Sequence, residues 1–232
     1  MEFLDHLHEL RKRLIYIFLT IFVFSIISLT FIKDLFPIFS DLYFSNFKDQ
    51  TLIGTSPQEA FFLKIKISIF FGLLLSSPLC FFQVWKFIEP GLHKEEKKYL
   101  FPFILCTSIL FILGILFCYK IVLPISLSFF FAQYQSLNLT PTIKINNLFS
   151  LVLKTSLAFA IIFQIPIISF FLGKFKIINS SIMKKYFRWI IVFIFILSAI
   201  LTPPDVISQF LLAVPMIILY LISILIVKKV NS

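Results

Sequence analysis

The chain has 232 residues, of which 59% are hydrophobic and only 14% charged, and its mean hydropathy is +1.02. Soluble domains run near about 45–50% apolar and roughly 25% charged, so a soluble globular fold is excluded. With 33 Phe against 5 Gly, collagen-like, linker-like and disordered chains are excluded too.

The first thirteen residues read as an amphipathic helix lying in the membrane interface. Phe3, Leu7, Leu10 and Leu14 make one apolar stripe, and Asp5, Glu9 and Arg13 follow at four-residue steps on another face. Glu9 is then either a solvated partner of Arg13 or a carboxylate open to a guanidinium at the membrane surface. This opening carries acids and histidines and no small-residue cleavage site, so no cleavable signal is expected. Residues 14–32 are uncharged and form the first span. Residues 67–85 form the second, with Pro78 inside it and Lys64 and Lys66 placed to snorkel from its mouth.

Trp85, Phe87, Pro90 and Gly91 close the second span, with Trp85 as an interfacial anchor. Glu95 and Glu96 follow between Lys94 and Lys97. They are a solvated loop face or, with the aromatics, a cation-binding groove. Residues 99–119 form the third span and 155–172 the fourth. Within the fourth, Gln164 stands two residues before Pro166, as a helix–helix hydrogen bond or as a polar contact for another protein's transmembrane helix.

Residues 189–201 form a short fifth span that reaches only about 20 Å, against a hydrocarbon core of roughly 30 Å. Either Lys185 and Arg188 lie at depth or the bilayer thins. Thr202-Pro203-Pro204-Asp205 leaves room only for a tight hairpin, with Asp205 as the N-cap of the sixth span, 206–227, which contains Pro215.

Six spans place both termini on one side. That side collects fourteen of the 21 lysines and arginines, which marks it as cytoplasmic and gives the net charge of +10 an orienting role rather than a nucleic-acid one. The six acids expected there, Glu2, Asp5, Glu9, Glu89, Glu95 and Glu96, occupy only the N-terminal segment and the first cytoplasmic loop. The second such loop, residues 173–188, has five positive charges and no acid. A cationic ligand arriving from the cytoplasm must therefore bind at the first two segments.

Cys80, Cys106 and Cys118 lie in apolar runs without metal-type spacing and read as small buried hydrophobes. Zincin, hydrolase and P-loop motifs are absent, and no span pairs a nucleophile with a base, so no catalysis, metal or cofactor is expected. A six-span secondary transporter is the alternative function; it calls for internal repeats and a polar midplane site, and neither is visible.

Four motifs resemble one family. They are His6-Leu7-His8-Glu9-Leu10-Arg11-Lys12-Arg13-Leu14, then Ser56-Pro57-Gln58-Glu59-Ala60-Phe61-Phe62 followed by Lys66. Gln83-Val84-Trp85-Lys86-Phe87-Ile88-Glu89-Pro90-Gly91-Leu92 continues to Glu96-Lys97-Lys98, and Leu201-Thr202-Pro203-Pro204-Asp205-Val206-Ile207-Ser208-Gln209 comes last. In this order they are similar to the TatC family, the multispanning core subunit of the twin-arginine protein translocase.

The resemblance implies an all-α integral membrane protein, with six transmembrane helices in a cup-shaped bundle, the last two short and both termini cytoplasmic. It would form a single transmembrane domain over residues 1–232. It implies no enzymatic activity. It implies recognition of twin-arginine signal peptides on folded precursors, and assembly with single-span partners of the TatA/TatB type for export that depends on the proton motive force. Oligomers of the chain itself within the receptor complex are also implied. The setting is the cell inner membrane, or a thylakoid or other organelle membrane for an organelle-encoded chain.

Carried over residue by residue, Glu9, Arg11, Phe87 and Glu96 serve signal-peptide binding. Gln164, Thr202 and Gln209 dock a partner helix, and Pro203, Pro204 and Asp205 shape the hairpin. Two departures stand out: Gln164 occupies a position where many members have Glu, and Ser40-Asp41-Leu42 lacks the Pro that members often carry nearby.

Overall fold

The structure, a computed structural model, describes residues 3–46, 52–91, 100–137, 142–201 and 206–231. The chain is almost wholly helical. Among the described residues, five helical stretches are long and apolar enough to cross a membrane, and a sixth apolar helix, Phe187–Leu201, is shorter. Contacts group the chain into two compact units, Met1–Tyr43 with Gly54–Ile109, and Phe44–Ile53 with Leu110–Ser232.

In the first unit, α1 runs without a break from Phe3 to Thr30. The expected interfacial helix is therefore not a separate element: no Gly or Pro occurs from Phe3 to Thr30 to end a helix, so the charged motif continues directly into the span. After Phe31, α2 (Ile32–Asn46) is helical where the sequence reads as a loop, with Pro37 inside it.

α3 (Pro57–Ile88) opens with Pro at its first position, where the missing N–H costs no hydrogen bond. Glu59 reinforces that start, its carboxylate accepting from the Thr55 backbone N–H at 2.6 Å and from its hydroxyl at 2.7 Å. Ser68, Gly72 and Ser76 are buried at four-residue steps along α3. Such small residues let membrane helices approach to backbone contact. Gly72 lies so close to Ser25 of α1 that a Cβ there would come within 2.7 Å of the Ser25 backbone.

The helix α4 (Leu100–Phe117), which enters the second unit at Leu110, passes through a single π-turn, Cys118–Val122, into α5 (Leu123–Ser136). Pro124 lacks an N–H, and the wider turn, in which Leu123 N–H reaches Cys118 O, accommodates it. The run 99–119 is thus only the first part of a longer helix. Lys120, which ends the uncharged stretch, stays in register with its ammonium over the Tyr119 ring.

Gly114 meets the Phe159–Ala160 backbone of α6 (Ile145–Ile162). Short strands β1 (Leu52–Ile53) and β2 (Ile143–Lys144) pair in parallel, Leu52 opposite Ile143. Past α6 the chain turns at Phe163–Gln164 and resumes as α7 (Ile165–Lys174), because Pro166 stands in the first turn of the new helix. Of the three cysteines only Cys118 is buried; Cys106 is exposed and Cys80 intermediate.

α7 ends in a Schellman turn, in which Ile177 N–H bonds Leu172 O at 2.9 Å and Lys176 N–H bonds Gly173 O at 3.0 Å. Asn179 then caps α8 (Ser180–Lys185), its side chain accepting from Ile182 N–H at 3.0 Å. α9 (Phe187–Leu201) and α10 (Val206–Asn231) complete the chain. Met183, Tyr220, Ile224 and Val227 form a buried cluster that fastens α8 to α10.

Candidate functional site

Polar chemistry in the first unit concentrates where the start of α1 meets the end of α3. His8, Glu9, Lys12, Arg13 and Tyr16 recur at helical spacing and line a cavity of about 620 Å³, closed on the other side by Gln83 and Lys86 of α3. Among the described residues Glu9 is the only carboxylate in this lining. Arg13 donates through Nε to Glu9 Oε1 at 3.0 Å and through Nη2 to the same oxygen, while its Nη1 reaches Gln83 Oε1 at 3.4 Å.

The carboxylate is thereby divided. Oε1 belongs to Arg13, whereas Oε2 is buried and has no hydrogen-bond partner among the described residues. A buried carboxylate oxygen left unpaired costs on the order of 1–3 kcal/mol, more for a charged group. The arrangement can accept a further strong donor. Since Oε1 is already taken, a guanidinium entering beside an undisturbed Arg13 meets one oxygen, not the two of a forked contact.

The other expected site residues are placed as follows. Arg11 is exposed and lies outside the cavity lining, and Phe87 is half-buried in the last turn of α3, also outside that lining. Glu96, Thr202, Pro203, Pro204 and Asp205 fall outside the described residues. Gln164 is buried at the α6–α7 break, its Nε2 donating to Ala160 O at 3.1 Å, with Oε1 unpartnered among the described residues. Gln209 Nε2 instead bridges α10 to α9 through Phe195 O at 2.8 Å. Its hydrogen bond is therefore already used within the chain.

Gln83, Tyr16 and Lys86 were not singled out as site residues by sequence reasoning. Gln83 stands seventy residues from Arg13, and no local spacing announces that pair.

Taken together, the chain is a polytopic helical membrane protein whose polar groups gather in a cavity near the N-terminal end of its first helix. The family model described as Sec-independent protein translocase protein (TatC) matches residues 5–215. The chain is 38% identical over 226 residues to the Sec-independent protein translocase protein TatC of Helicobacter pylori (strain J99), covering 97% of this chain and 88% of that one. It is 38% identical over 229 residues to the TatC protein of Aquifex aeolicus, covering 98% and 95%. A solved structure described as the twin arginine translocase receptor TatC superposes with a TM-score of 0.90 at 37% identity, covering 98% of this chain and all of that one.

The chain belongs to the TatC family. It is a multi-pass subunit of the Tat translocase of the inner membrane, a transport component that works within a membrane protein complex.

Proposed function

We propose that the chain is the signal-peptide receptor of its translocase and that Glu9 binds an arginine of a twin-arginine signal. The observation that carries this reading is that Glu9 lines a cavity large enough for a side chain and keeps a buried Oε2 with no hydrogen-bond partner among the described residues. Glu96 supplies the second acid, and Arg11 and Phe87 flank the site. A guanidinium is suited to it because it keeps its charge at all relevant pH and reaches a carboxylate with directed donors.

The function is receptor and assembly work without catalysis. Both termini are cytoplasmic, the chain acts as one transmembrane domain, and copies of it associate in the receptor complex. Single-span TatA/TatB-type partners dock through polar groups in the spans. Gln164 supports that role best, because its Oε1 has no hydrogen-bond partner among the described residues, and Thr202 is a companion. Gln209 contributes less, since its amide already holds α9.

The test is site-specific crosslinking of a twin-arginine precursor to Glu9→Ala, Glu96→Ala and Glu95→Ala variants of matched abundance. Losing one charge-assisted contact worth about 1.5–3 kcal/mol weakens binding roughly tenfold to a hundredfold. Glu95→Ala is the control of equal charge and should stay near wild type. Undiminished crosslinking in both Glu9→Ala and Glu96→Ala overturns the proposal.

A further inference from the structure

The second unit carries a basic face that the receptor reading does not use. Lys174, Lys176, Lys184, Lys185 and Arg188 are all exposed, and Lys228 and Lys229 at the end of α10 are exposed as well. The sequence holds a single acid after Glu96, namely Asp205, so carboxylate side chains that could neutralise this face are almost absent. Arg188 also stands in the first turn of α9, whose backbone dipole presents its positive end there. Like charges gathered on one face repel, and an anion bound among Lys184, Lys185 and Arg188 would lower that energy.

This face is held firmly. Gly173 packs on Val227, Tyr220 OH donates to Met183 O at 3.1 Å, and Asn231 Nδ2 donates to Ile178 O at 3.1 Å. Those contacts tie the segment after α7, and α8 after it, to the end of α10. Apolar and aromatic side chains stand among the cations and face outward: Ile182, Tyr186 and Trp189 are 42%, 51% and 73% exposed. Cations interleaved with exposed Trp, Tyr and Ile are the chemistry of the headgroup boundary, not of open water.

The length of α9 adds an independent argument. Its 15 residues span about 22 Å, well short of a hydrocarbon core of roughly 30 Å. A short span is accommodated by local thinning of the bilayer. Thinning draws lipid phosphates toward Lys184, Lys185 and Arg188.

We propose that this face binds anionic phospholipid headgroups of the adjacent leaflet, with Lys184, Lys185 and Arg188 as the phosphate ligands and Trp189 at the glycerol level. An acidic protein segment would satisfy the charge but would leave the outward Ile182 and Trp189 without an apolar medium. Lipid satisfies both.

The test uses the full chain in bilayers with Trp85→Phe, which leaves Trp189 as the one indole. Its quenching is compared for brominated phosphatidylglycerol and brominated phosphatidylcholine at equal mole fraction. The expected result is an enrichment of the anionic lipid around Trp189 of about fivefold, the ratio corresponding to about 1 kcal/mol. It should fall toward one in the Lys184→Gln, Lys185→Gln, Arg188→Gln triple variant and persist when Lys33, Lys64 and Lys144 are made Gln instead.

Raising the salt concentration on the chain without the triple substitution should shrink the enrichment too, which keeps the test decisive if the triple variant folds poorly. Equal quenching by the two lipids at low salt overturns the proposal. An enrichment that survives the triple substitution, or that salt leaves unchanged, overturns it as well. Loss of an acidic protein partner in the triple variant, without any lipid preference in the unsubstituted face, assigns the face to that partner instead.

Discussion

The two units handle positive charge in opposite ways. In the first, Arg13 is bound on both sides, by Glu9 and by Gln83, and the acid it neutralises retains one oxygen that no described residue uses. In the second, the exposed cations stand in a stretch of sequence that is nearly free of acids. The first arrangement is selective, because a ligand must fit a single buried acceptor between two helices. The second is permissive, because any anion at the surface lowers its energy. The difference separates a site that reads a particular side chain from a face that sets how the chain sits among lipids.

The largest expected effect would break this comparison outright. Glu9→Gln keeps the shape of the side chain and removes its charge, so precursor affinity should fall tenfold to a hundredfold. The triple substitution on the basic face should leave that affinity within about twofold. A binding measurement on both proteins in the same detergent decides the matter, and equal losses would mean that diffuse charge, not a built acceptor, attracts the precursor.

Next come the two glycines that set helix spacing. A Cβ at Gly72 would meet the Ser25 backbone at 2.7 Å, whereas at Gly173 it would meet only the Val227 side chain, at 3.3 Å. Backbone cannot yield as a valine rotamer can. Gly72→Ala should therefore destabilise the chain by about 1–3 kcal/mol, the usual range for overpacking, and Gly173→Ala by less than about 1 kcal/mol. Thermal unfolding in detergent gives the order, and a reversed order would show that α1 and α3 are not held at backbone contact. Gly72→Ala should also weaken precursor binding, since the cavity needs both helices at their present spacing.

A smaller effect belongs to the basic face. Tyr220→Phe removes the hydroxyl that holds Met183 O and leaves that carbonyl buried without its donor. The expected loss is about 0.5–1.5 kcal/mol of stability with no change in precursor binding. A drop in precursor binding as large as that of Glu9→Gln would couple the two regions and end the contrast.

How much of this was legible in the sequence depends on the range of each interaction. The apolar runs follow from composition in windows, and the short α9 was visible as a run of 13 residues before the hairpin prolines. Glu9 with Arg13 was legible because it is one helical turn of spacing. The continuity of α1 was missed because amphipathic and apolar patterns were read as two elements, although nothing between them breaks a helix. The extension of the third helix to Ser136 was missed because a single lysine ended the uncharged window while helix propensity carried on. Gln83 was legible only as part of a motif. Its bond to Arg13 exists because two spans pack, and no local pattern encodes that.

The smallest prediction concerns the turn that starts the basic face. Lys176 has φ of +57°, a left-handed conformation that costs a residue with a Cβ about 1 kcal/mol and costs glycine little. It occupies the position of a Schellman turn where glycine is usual, so a lysine there carries a strain that its neighbours must hold. Lys176→Gly should raise stability by roughly 0.5–1 kcal/mol, while removing one of the exposed cations and lowering the anionic-lipid enrichment slightly. Lys176→Ala separates the two effects: it removes the same charge, keeps the strained backbone and should bring no gain in stability. If glycine and alanine stabilise equally, the charge was the source of the strain and repulsion across the face is larger than the turn geometry implies. If only glycine stabilises, the lysine is kept at that position for its charge, against the preference of its backbone.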